Sequence, residues 1–236
     1  MIVLGLPVVW AYQAATINAA TRIRRPDLGL IAPGRRADIV CLDSLSEVRA
    51  KMVMADGRLV ARAGIVAEPL KPGIDATPLR NSMAVSELSP EDFEVASNAP
   101  KAHIATLCKP RFPVWGEAET SSSNGKLALP DGMIRMAVVN RYGRNTPVRV
   151  AFLENWGTWR GAFATTVSHD SHNLTVFGRD PVDMALAANT VRETHGGMCV
   201  VADQKVIDVF ALPLAGIASE NPLSEVAHHF AALRAA

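Results

Sequence analysis

Pro69, Pro72, Gly73, Pro78 and Pro90 interrupt every hydrophobic periodicity between Glu68 and Ser89, so the chain divides there into segments that must fold separately. A linker is expected over residues 69–88, with one body before it and a larger one, residues 89–236, after it. With 236 residues and 49% apolar content, both have material for a core.

Before the break, residues 1–22 read as a helix with Pro7 in its first turn. Residues 23–68 read as short strands: Pro33-Gly34 makes a turn, residues 37–43 form one strand, and residues 51–63 supply more. Asp56-Gly57 is a strong hairpin signal, because glycine accepts positive φ. After the break, Ser89-Pro90-Glu91-Asp92 reads as a helix start. The strongest strand candidates are residues 133–139, 148–153, 161–167, 198–202 and 206–212, with a hairpin turn at Ala202-Asp203-Gln204-Lys205. Asp180-Pro181-Val182-Asp183 opens a helix that Gly196-Gly197 closes, and His195 complements its carboxyl end. Asn221-Pro222 opens the last helix, with Leu223, Val226, Phe230 and Leu233 on one face and His228-His229 on the solvated side. Strands and helices so mixed predict an α+β architecture.

The densest chemistry is His169-Asp170-Ser171-His172-Asn173, set between the apolar runs 161–167 and 174–177. A strand-end position is where folds commonly mount function. Three readings compete. In a flat strand His169 and His172 point to opposite faces, so a shared metal needs a turn between them and a further ligand. In a structural reading Asp170 and Asn173 bond backbone groups of a tight turn while the two histidines bond neighbours. In a third, the cluster faces a ligand pocket. A Ser-His-Asp triad from Ser168 or Ser171 is disfavoured, since residues adjacent in sequence seldom point at one another.

The run Trp156 to Asn173, followed by Asp183-Met184-Ala185-Leu186-Ala187-Ala188-Asn189, Gly196-Gly197-Met198 and residues 212–219, resembles the carboxy-terminal domain of bacterial adenine deaminases, members of the amidohydrolase superfamily. Residues 28–40 with Asp56-Gly57-Arg58-Leu59-Val60 resemble the segment with which amidohydrolases leave their barrel. The resemblance implies that residues 1–22 correspond to the last barrel helix, 23–68 to part of a small β-sandwich, and 89–236 to the adenine deaminase carboxy-terminal domain. On this resemblance the third reading is that His169, Asp170, Ser171, His172 and Asn173 face the barrel mouth of the complete enzyme and help to close or shape the purine pocket, with the structural and metal readings still open beside it. The family's Arg-His dipeptide stands here as Arg141-Tyr142, and Arg141 is expected in a buried ion pair.

Such enzymes hold manganese, iron or zinc in a (β/α)8 barrel, beginning with a His-x-His pair. This sequence has no His-x-His, and its first histidine is His103. The resemblance therefore implies a piece of a longer enzyme, with no barrel, no metal and no catalytic residue in these 236 residues and no activity alone. Its implied partners are adenine in the complete enzyme and either a barrel-bearing subunit or a second copy, which would cover an open sandwich edge. The rival is a stand-alone interaction or regulatory module that complements a separate barrel subunit.

A net charge of +1 without a basic run argues against nucleic acid. Tyr12, Gln13, Thr16 and Asn18 break the apolar amino terminus too early for a membrane span. Cys41, Cys108 and Cys199, odd in number and widely spaced, fit a reducing cytoplasm.

Overall fold

Paired left-handed residues make the sharpest turns of the backbone. Asp56 (φ 49°) and Gly57 (φ 75°) join β2 (Ala50–Ala55) to β3 (Arg58–Arg62), and Asp203 (φ 52°) and Gln204 (φ 60°) join β12 (Gly197–Ala202) to β13 (Lys205–Ala211). Two-residue loops with positive φ match the twist of antiparallel strands, which is why both sites close hairpins. The computed structural model describes residues 2–67, 73, 75–108, 112–144 and 146–235. The chain forms two compact units, Met1–Gly73 and Ile74–Ala236, within an α+β class.

In the first unit Pro7 lies before the first helical turn rather than in it: its extended backbone (ψ 134°) caps α1 (Val8–Gln13). The helix continues through a π segment, Ala14–Asn18, into α2 (Ala19–Arg22). A four-stranded antiparallel sheet follows in the order β1 (Ile39–Leu42), β2, β3, β4 (Ile65–Val66). Gly29 (φ 78°) lets the chain pass against the helix, since a Cβ there would stand 2.8 Å from both the Ala20 Cβ and the Thr16 carbonyl oxygen. The Tyr12 hydroxyl donates to the Leu45 carbonyl at 3.0 Å.

The second unit is a nine-stranded sheet. Its strands are β5 (Lys101–Cys108), β6 (Val114–Ser123), β7 (Lys126–Leu127), β8 (Met133–Val139), β9 (Arg149–Glu154), β10 (Gly161–Thr165), β11 (Leu174–Gly178), β12 and β13. Their spatial order is β13-β12-β10-β11-β8-β9-β5-β6-β7, antiparallel except between β5 and β9. The register Ala164↔Val176, Val176↔Ala137 and Ala164↔Cys199 lays one apolar row across four strands. Helix α3 (Pro181–Glu193) covers that row with Met184, Ala187, Ala188 and Val191. Gly178 permits the approach, because a Cβ there would sit 2.8 Å from the Met184 Cγ. The Asp180 carboxylate accepts the Val182 N–H at 2.9 Å and starts α3.

On the opposite face Phe163, Met198, Val200 and Phe210 meet Val226 and Leu233 of α4 (Leu223–Ala235). The expected apolar stripe of that helix is corrected here: Leu223 is 82% and Phe230 43% exposed, while the His229 ring stacks on Phe210 at 5.8 Å. An imidazole presents a flat apolar face, so it serves as part of the docked side. His195 is itself the left-handed residue (φ 60°) that ends α3, ahead of Gly196.

The domain boundary lies earlier than the prolines predict. Of the expected linker, residues 69–72 and 74 lie outside the described residues, but 75–88 belong to the second unit. Met83, Val85 and Leu88 pack on its core, and Asn189 of α3 clamps Leu88 by accepting its N–H at 3.0 Å and donating to its carbonyl at 2.8 Å. Ser89 to Asp92 does begin a helix, but only the single 3-10 turn Pro90–Phe93, which drives Phe93 into the core.

Candidate functional site

The polar cluster is the loop of the β10–β11 hairpin. Ser168 accepts the His172 N–H on its carbonyl at 2.6 Å, and His172 takes a left-handed conformation (φ 48°), so the chain turns within the cluster itself. His169 and Asp170 stand at the tip, 88% and 87% exposed, with Nδ1 and Oδ1 2.5 Å apart. The Ser171 hydroxyl accepts the Asn173 N–H at 3.3 Å, and the Thr175 hydroxyl donates to that of Ser168 at 2.9 Å.

The turn is not held by the side chains that the structural reading assigned. Asp170 has its contact with His169, and among the described residues the inaccessible Asn173 Oδ1 and His172 Nδ1 have no hydrogen-bond partner. The loop backbone is also held from outside: the Tyr142 hydroxyl donates to the Ser171 carbonyl at 2.9 Å, and the Arg141 Nε donates to the His172 carbonyl. Tyr142 thus reaches this loop through its phenol.

Arg141 is 2% exposed and is not in the expected ion pair. Among the described residues its partners are uncharged. One Nη donates to the Ser82 hydroxyl at 2.7 Å and carbonyl at 3.2 Å, the other to the Ala215 carbonyl at 2.7 Å, and the guanidinium carbon lies 4.6 Å from the Tyr142 ring centre. Five fixed donors in a plane suit three carbonyls arriving from separate loops. Beside it, buried Thr166 donates to the Gly216 carbonyl and accepts the Gly197 N–H at 2.8 Å. Gly196 and Gly216 pass so close that a Cβ on Gly196 would stand 2.4 Å from the Gly216 Cα. Ser82, Thr166 and Gly216 had no mark in the sequence beyond their places in or near the ordered motifs, because their partners are 31 to 59 residues distant.

The His169 and His172 rings lie 6.4 Å apart and nearly perpendicular, and no group of three or more His, Cys, Asp or Glu among the described residues is placed to hold an ion. No helix among them is long and apolar enough to cross a membrane. Elsewhere, burial pushes the Cys199 thiol up to about 11, and the Arg25 hydrogen bond holds the Asp27 carboxyl down at about 2.

The motifs stand in order on a helix that leads into a short sheet and on an α+β domain whose sheet is antiparallel except between β5 and β9. Residues 114–236 match the adenine deaminase C-terminal domain, and residues 4–60 match the amidohydrolase family. The chain belongs to the adenine deaminase C-terminal domain family. It is 53% identical over 234 residues to "Adenine deaminase 2" of Rhizobium meliloti (strain 1021), covering 98% of this chain and 39% of that protein. It is 44% identical over 235 residues to "Adenine deaminase" of Klebsiella pneumoniae subsp. pneumoniae, with the same coverage of each. Identity to that of Cereibacter sphaeroides is 36% over 236 residues, 99% of this chain and 41% of the relative. The chain thus spans about two fifths of the length of the curated relatives it matches.

Proposed function

We propose that this chain serves the hydrolytic deamination of adenine to hypoxanthine and ammonia in the cytoplasm as a carboxy-terminal part of the machinery, and that residues 1–236 do not perform it alone. The observation that carries this is the 53% identity to an adenine deaminase across 98% of the chain. The role assigned to the 168–173 hairpin is to close the purine site. Its base is locked by Arg141 and Tyr142 while His169 and Asp170 project from the tip, which presents hydrogen-bonding groups to a surface beyond the hairpin at little ordering cost. Among the described residues two inaccessible atoms, the His172 Nδ1 and Asn173 Oδ1, have no hydrogen-bond partner, which supports a ligand-facing hairpin.

Ammonia release from adenine with added manganese or iron tests the reading. The chain alone is expected at background. Supplying the remaining segment of the Rhizobium meliloti relative in trans is expected to give release, reduced by His172→Ala or Asp170→Asn by about 10- to 100-fold if the hairpin orders the substrate. Turnover by the chain alone at roughly 1 per second or faster overturns the reading.

A second reading, a stand-alone module that binds a separate barrel-bearing subunit or its own copy, is favoured by the apolar surface of the first unit, where Val3, Leu4, Val9, Trp10 and Ile31 are each more than 60% exposed. Sedimentation of the chain alone and with that segment separates the two: a monodisperse monomer that ignores the segment removes this second reading.

A further inference from the structure

We propose that Arg141 is a positioning residue that sets the 168–173 hairpin jointly with two other loops, so that the three hold or release their conformations together. The guanidinium is 2% exposed, and its partners are carbonyls and a hydroxyl from three places: Ser82, the His172 carbonyl of the hairpin, and Ala215. These residues are separated from Arg141 by 59, 31 and 74 positions, so no local turn links them. A buried cation whose hydrogen bonds among the described residues all go to such dipoles demands that they stay in place, because each one lost leaves a charged donor unsatisfied in a low-dielectric site. The fit is also steric. A Cβ on Gly216 would stand 2.6 Å from an Arg141 Nη and 3.2 Å from the Ser82 Oγ, so the strand-free segment around Gly216 is pressed against the guanidinium.

Thr166 extends the same knot. At the first residue beyond β10 it donates to the Gly216 carbonyl and accepts from Gly197, joining the root of the hairpin to the segment that Arg141 holds through Ala215. The hairpin is therefore gripped at both ends of its loop, at Thr166 and at His172, by one connected set of bonds. Lysine cannot replace arginine here, since a single ammonium offers no planar fork spanning three separate carbonyls. That this matters to purine chemistry rests on the pocket-closing reading above; the coupling of the loops does not.

The test is amide hydrogen exchange on the full chain, followed over segments 80–84, 168–173 and 213–217. In Arg141→Lys, exchange is expected to rise about tenfold or more in all three together, as loss of a buried charge-assisted bond implies. Tyr142→Phe, which removes only the bond to the Ser171 carbonyl, is expected to affect 168–173 alone. Ser82→Ala guards against an Arg141 variant that does not fold: it deletes a hydroxyl bonded to Arg141, and accelerated exchange at 168–173 is expected in it too. A response confined to the mutated neighbourhood in both variants, or unchanged exchange at 168–173 in either, overturns the proposal. In the trans assay Arg141→Lys is expected to raise the adenine KM more than it lowers kcat. Coupled exchange with unaltered KM and kcat keeps the three-loop coupling, removes the positioning role and counts against the pocket-closing reading; uncoupled exchange removes Arg141 whatever the assay shows.

Discussion

The two units use the same local devices and reach different interiors. Each builds antiparallel hairpins through two-residue left-handed turns, yet Ala20 is the one hydrophobic residue buried in the first unit among the described residues, whereas the second buries Phe93, Ile134, Leu153, Leu174, Val176, Met184 and many more. The difference is a layer. In the second unit α3 lies along one face of the sheet and α4 along the other, so both sides of β10 and β12 are covered. The first unit has a four-stranded sheet with Val40 57% and Val66 55% exposed, beside a groove of about 710 Å³ lined by Tyr12, Leu28, Ile31, Val40, Leu45 and others. Turn chemistry makes strands; only a second layer makes a core.

Core truncation is the strongest way to break this contrast. Phe93→Ala, which empties a fully buried site beneath α3, is expected to cost about 3–5 kcal/mol in denaturant unfolding of the second unit. Leu59→Ala, at a half-buried position of β3, is expected to cost under about 1 kcal/mol, since little area is returned to water. Equal losses from the two would erase the distinction. A smaller effect sharpens it at one contact. Asn189→Ala removes both bonds to Leu88 and is expected to cost about 1–3 kcal/mol by the same measurement, freeing residues 83–88 to exchange. A loss near zero would show that the 75–88 segment is held without the Asn189 clamp, by its apolar side chains and its bonds to Arg141 and Ala215.

The smallest effect is on the thiols. Burial holds Cys199 protonated up to about pH 11, above its ordinary value near 9, so an unfolded chain releases that proton first. Its contribution to stability is complete below about pH 9 and declines as pH rises toward 11. Alkylation mapped by mass spectrometry at pH 8 is expected to label half-exposed Cys41 well before Cys199. Simultaneous labelling would place the two units on the same footing.

Much of the fold was legible because its signals are local. Asp56-Gly57, Ala202 to Lys205, Asp180-Pro181 and the apolar runs of β8 to β13 fall within a residue or two of their expected places. The strands β5 and β6 had no such mark. In β6, Glu117, Glu119, Thr120 and three serines leave little apolar alternation, because the strand lies near the sheet edge and gains its order from pairing with β5 along eight residues. Likewise, prolines 78 and 90 signalled a linker, but Pro78 sits in a short 3-10 turn and Pro90 at a helix start, both inside the second unit.

At the candidate site the division is sharper. The sequence by itself placed residues 169–173 at the junction of two apolar strands, and its ordered motifs pointed to the family. Only the tertiary structure decided what holds that turn. Asp170 and Asn173, the side chains equipped to do so locally, are left without backbone partners among the described residues, and the work falls to Arg141, Tyr142 and Thr166. A guanidinium has no preferred partner in sequence. It bonds whichever carbonyls the packed sheet brings within reach, and that is set by strand order and register, which no window of neighbouring residues contains.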